Sequence, residues 1–152
     1  MAKRATPHDG QLMLRLYDLR REPEMRKARN WFLADFWPRN ADDVLKVIHA
    51  FASQENNWFR QVGGYWDMAA ALVLQGALHE ELFLQPGCSG EMFLVFTKMR
   101  PHLKELRQKL NNPDYWGNIE EVATGSKLAR KRLARVSSIV EQVRATLTKP
   151  KK

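Results

Sequence analysis

The sequence contains a single cysteine, Cys88, among 152 residues. A lone thiol excludes an internal disulfide framework and fits a reducing compartment. Long apolar runs are also missing. The longest, Met68 to Leu74, is seven residues, far short of the roughly 20 that cross a bilayer. Behind Met1-Ala2-Lys3-Arg4 there is no apolar segment of the kind a signal peptide carries, so the expected setting is cytoplasmic. Histidines are few and scattered. His8, His49, His79 and His102 have no second His or Cys at a ligand interval, which argues against a metal centre. Neither a Gly-x-Ser-x-Gly elbow nor a phosphate-cradling glycine loop occurs, so no catalytic residue and no cofactor is expected.

What is present is apolar, aromatic and basic. A hydrophobic fraction of 44% with 10% aromatic residues excludes wholesale disorder. Nothing divides the chain, so one domain is expected over 8–148, between a disordered leader, 1–7, and a basic tail, 149–152. The net charge of +8 is unevenly spread. Residues 1–39 and 121–152 are basic, and the middle is slightly acidic. Such asymmetry bears on polyanion attraction and not on fold.

Apolar residues recur at three- and four-residue intervals almost throughout, which predicts helices. Leu12, Leu16 and Leu19 form the first stripe. Met25, Ala28, Phe32 and Phe36 form a second, running from Pro23 to Pro38. Asn40 with Asp42 and Asp43 predicts the start of a third helix, because side-chain oxygens and negative charge satisfy free amides there. Three long seams follow, over 58–76, 92–110 and 129–147. In the first, the phase continues through Gly63-Gly64, which predicts an unbroken helix whose missing side chains admit a neighbouring backbone. In the second, Pro101 predicts a kink or break near Arg100. Pro86-Gly87 reads as a loop, with Ser89 as the next cap, and Asn112-Pro113-Asp114 as the start of a short helix. The expected fold is all-α: an antiparallel bundle of three long helices with several short ones covering its ends.

Three groups of residues are candidates for function. Asp67 is the one charge between Gly63 and Leu74, and a buried carboxylate must be paired or hydrogen-bonded. Arg60, two turns earlier on the same helix face, is its expected partner, with Arg26 and Arg29 as alternatives and Tyr65 beside the resulting pocket. Lys127, Arg130, Lys131, Arg132 and Arg135 open the last helix as a basic face. Nucleic acid, an acidic protein partner, or Glu80/Glu81 and Glu120/Glu121 of the same chain would each satisfy it. Cations at a helix N-terminus oppose the macrodipole, so something must hold them there. Aromatic residues are in surplus, and adjacent pairs such as Trp31/Phe32 and Trp58/Phe59 cannot all face inward. Trp31, Trp37 and Trp58 are therefore expected interface anchors. Cys88, in Pro86-Gly87-Cys88-Ser89-Gly90, is read as a loop cysteine without a role.

The stretch from Arg21-Glu22-Pro23-Glu24-Met25-Arg26-Lys27-Ala28-Arg29 through Tyr65-Trp66-Asp67-Met68-Ala69 to Arg100-Pro101 resembles a bacterial family catalogued only as a domain of unknown function. The resemblance implies a small helical protein and supplies no catalytic residues. Together these features favour a non-enzymatic interaction or regulatory module, homo-oligomeric, without membrane insertion. The rival reading is a nucleic-acid-binding protein that uses the basic face of the last helix.

Overall fold

The computed structural model describes residues 3–148, whose regular elements are all helices, with no strand among them. In chain order the helices are α1 (Pro7–Arg20), α2 (Pro23–Asn30), α3 (Ala41–His49), α4 (Gln54–Leu74), α5 (Glu80–Phe83), α6 (Pro86–Met99), α7 (Leu103–Lys109), α8 (Gly117–Gly125) and α9 (Lys127–Leu147). A π-turn, Trp31–Asp35, prolongs α2, and a 3₁₀ turn, Arg100–His102, joins α6 to α7. The expected tail, 149–152, lies outside the described residues.

Most helix starts follow from local side chains. Asn40 Oδ1 accepts the Asp43 amide at 2.9 Å, Ser53 Oγ that of Asn56 at 3.1 Å, and Ser126 Oγ that of Ala129 at 3.0 Å. Each satisfies a donor that the first helical turn leaves free. Thr6 and Asp9 form a reciprocal capping box, with Pro7 in the first turn. Within the expected leader, Thr6 thus caps α1 and the carbonyl of Lys3 meets His79 Nε2.

Three sequence expectations are corrected. Pro86 and Gly87 are not a loop: they form the first turn of α6, where proline's missing donor costs nothing. Ser89 is therefore no cap and lies wholly buried inside the helix. Asn112-Pro113-Asp114 does not open a helix either; it is a turn, and α8 begins only at Gly117, after Trp116 in the left-handed conformation. The break at Pro101 does occur, so the seam over 92–110 is divided between α6 and α7.

The helices enclose one apolar core. α4 packs most closely on α2 and α8, and α9 on α6 and α8. The nine-residue α8, expected to cover an end, thus stands between the two 21-residue helices. Phe32 lies at the centre of an aromatic cluster, fully buried, with ring centroids 5.1 Å from Phe36, 5.9 Å from Phe59 and 6.4 Å from Trp116. No helix among the described residues is long and apolar enough to cross a membrane.

Candidate functional site: a groove on α4 and the outer face of α9

α4 carries Arg60, Gly63, Gly64 and Asp67 at positions i, i+3, i+4 and i+7, and hence on one face. They line a groove of about 370 Å³ whose wall is the segment from Asn112 to Trp116. Gly63 is the point of close approach. A Cβ built there would stand 3.0 Å from Cζ2 of Trp116, so an indole ring, and not the expected backbone, occupies the space. Over Gly64 nothing comes within 4 Å. One glycine thus seats the wall and the other is an open floor.

The wall is strained and held. Trp116 has φ 60° and ψ 24°, and Asn111 has φ 48°. For residues other than glycine such backbone costs on the order of 1–3 kcal/mol each, and it gathers at ligand clamps and active sites. Arg107 supports the conformation, its Nε donating to Tyr115 O at 3.0 Å and its Nη2 to Glu120 at 3.0 Å. Burial of Tyr115 pushes its phenol up to about 12, so it stays neutral.

Asp67 is half-buried in this groove, and its partner is not one of the expected arginines. Asn118 Nδ2 donates to Asp67 Oδ2 at 3.1 Å. The other expected partners are elsewhere: Arg60 is exposed at the groove's edge, and so is Arg26 on its own helix. Arg29 is committed to Glu91, with Nε at 2.9 Å from both oxygens and Nη2 at 2.6 Å from Oε2, which ties α2 to α6. Among the described residues, Arg60, Asp67 and Asp114 make no ion pair. Tyr65 does not join Asp67. It faces a neighbouring groove with Leu19 and Met68 and donates its hydroxyl to Leu16 O at 2.6 Å. A larger groove, about 680 Å³, meets the first at Arg60 and is lined by Trp58 and Glu24, the latter paired with Lys27.

On α9, Lys127, Lys131 and Arg135 are exposed at four-residue steps. Arg130 donates to Thr124 O at 2.9 Å, capping the C-terminus of α8, and Arg132 is half-buried. Lys127 and Lys131 share a cleft with Glu80 and Glu81, without an ion pair between them among the described residues. Further along α9, Ile139, Val143 and Leu147 are 47%, 40% and 57% exposed at the same four-residue step.

The three tryptophans chosen as interface anchors are half-buried and engaged. Trp31 stacks on Phe36 with centroids 4.9 Å apart and lies 6.1 Å from Trp58. Trp37 donates to Ala34 O at 3.0 Å, and the Lys98 ammonium sits 3.9 Å from its ring centroid. The apolar side chains that reach solvent are mostly aliphatic, and sequence periodicity did not single them out, because Val143 and Leu147 keep the phase of the buried seam. Burial raises the pKa of the Cys88 thiol above its usual value, which suppresses the reactive thiolate.

Residues 5–126 match the model of a family described as a domain of unknown function (DUF4760), and α9 lies beyond the matched segment. No curated protein and no solved structure matches the chain.

Proposed function

We propose, for a chain that belongs to the DUF4760 domain family, a non-enzymatic interaction module that pairs with a second copy of itself through α9. The observation that carries this reading is the exposed stripe Ile139, Val143 and Leu147. Its spacing is self-complementary. Two antiparallel copies of α9 related by a two-fold axis at Val143 bring Ile139 of each against Leu147 of the other. That arrangement also carries the basic starts of the two helices to opposite ends, whereas a parallel pair would set Lys127, Lys131 and Arg135 of both copies side by side. Three aliphatic side chains bury little area against the ~1,000 Å² of a specific interface, so the association is weak. The α4 groove offers groups suited to binding, its lining holding two carboxylates, a guanidinium, one side-chain amide and aromatic rings.

Sedimentation equilibrium over a wide concentration range tests the pairing. A monomer–dimer equilibrium abolished by Val143→Lys supports it, and that substitution at an exposed position leaves the helical dichroism unchanged. A monomer at every concentration, or a dimer indifferent to Val143→Lys, removes it. The exposed cations Lys127, Lys131 and Arg135 favour a second reading, nucleic-acid binding. It requires an affinity for duplex or single-stranded nucleic acid that falls linearly with log salt.

A further inference from the structure

The groove on α4 has a charge layout that its walls do not neutralise. Arg60 and Asp67 stand seven residues apart on one helix face, about 10.5 Å along the axis at 1.5 Å per residue. Between them lies the open floor over Gly64. Asp114, with Asn112 and Tyr115, forms the wall opposite. Asn118 holds one oxygen of Asp67, and the other has no hydrogen-bond partner among the described residues. The unpaired groups therefore amount to one cation and two carboxylates, around a space of about 370 Å³ with an aromatic side. The groove is open to solvent, with Arg60, Asn112 and Asp114 exposed, and a few placed polar groups can fix a small ligand's orientation in it.

We infer that this groove is a binding site for a free basic amino acid, with L-arginine as its best-matched member. The complement of two carboxylates and one guanidinium is a ligand with two cationic groups and one carboxylate. The ligand's α-carboxylate pairs with Arg60, and its long side chain crosses Gly64 so that the guanidinium reaches the unpartnered oxygen of Asp67. Its α-ammonium turns to Asp114, with the methylene stem beside Tyr115, where an aromatic face also attracts a cation. Planar guanidinium suits bidentate pairing with a carboxylate better than ammonium does, which sets arginine above lysine. Gly64 is required because a longer side chain there would fill the floor. Strain at Asn111 and Trp116 then has a use, since it holds the wall at the width of one ligand.

Isothermal titration of the full chain with L-arginine tests the site. Saturable binding is expected, weakened at least tenfold by Asp67→Asn. Gly64→Leu should abolish it while leaving the protein folded, because that position opens into free space and leucine favours helix. Arg60→Gln should lower affinity for arginine but not for agmatine, which lacks the carboxylate. Two results overturn the inference: no saturable heat with arginine or lysine up to about 10 mM, weaker than roughly −3 kcal/mol, or equal binding by N-acetyl-arginine amide. The second would assign the groove to a basic side chain of a peptide. Because these residues lie on α4 and the 112–116 wall, a failure here leaves the α9 pairing untouched, and the reverse.

Discussion

Gly63 and Gly64 are adjacent, chemically identical and opposite in consequence. A methyl group at Gly63 would meet the Trp116 ring at 3.0 Å, and that ring is packed among Phe32 and Phe59 and cannot move away freely. Gly63→Ala should therefore destabilise the fold by about 1–3 kcal/mol, the range for overpacking a well-filled core. Gly64→Ala meets nothing and should stabilise it by about 0.5–1 kcal/mol through helix propensity. Urea denaturation of the two variants separates these outcomes. Lys98 is the other decisive residue. It is 2% exposed, and its ammonium donates to Phe32 O at 2.5 Å and Leu33 O at 3.3 Å. Burial pulls its pKa down to about 7, with the positive charge of Arg144 acting the same way. Between pH 7 and the ordinary lysine value the unfolded chain binds the extra proton and the folded chain does not. Stability should thus rise across that window, by on the order of a few kcal/mol, and flatten below it. Lys98→Met should remove this slope in denaturation midpoints measured from pH 6 to 10.

At the scale of elements, the π-turn after α2 shows how one helix end is finished by another helix. The last carbonyls of this segment have no partners of their own. Phe36 N bonds Trp31 O at 3.0 Å, the indole of Trp37 bonds Ala34 O, and Lys98 of α6 takes Phe32 O and Leu33 O. Below pH 7, where Lys98 carries its proton, the cation at this helix C-terminus is also aligned with the dipole. α9 depends on a single cap in a different way. Ser126 both ends α8, in extended conformation, and caps α9 by accepting the Ala129 amide. Ser126→Ala should cost about 1 kcal/mol and speed amide exchange in the first turn of α9, with α4 unaffected. Helix starts of this kind are legible from sequence because donor and acceptor lie three residues apart. The π-turn is not, since its acceptors are met by a lysine 65 and 66 residues away.

Over the whole molecule, most aromatic rings pack inward, while Phe51 at 81% and Tyr17 at 46% exposure stay in solvent. Phe32 touches rings from the π-turn, α4 and the 112–116 wall, so it joins the segments that make the candidate groove to the rest of the core. Phe32→Ala should cost about 3–5 kcal/mol, and near-ultraviolet dichroism should lose its tryptophan fine structure as Trp116 loosens. The all-helical class, the helix start at Asn40, the continuity of α4 and the break at Pro101 are properties of short stretches of chain: period, cap and ring closure act within a few residues. Asp67 was legible too, as an isolated charge in an apolar seam. Its partner Asn118 and the left-handed Trp116 seated on Gly63 were decided by contacts between residues about 50 positions apart, as with the 51 that separate Asp67 from Asn118, and Trp31 meets Trp58 across 27. Local sequence carries the energy of a turn and not the identity of what will be pressed against it, so packing alone settled which glycine is filled and which is left open.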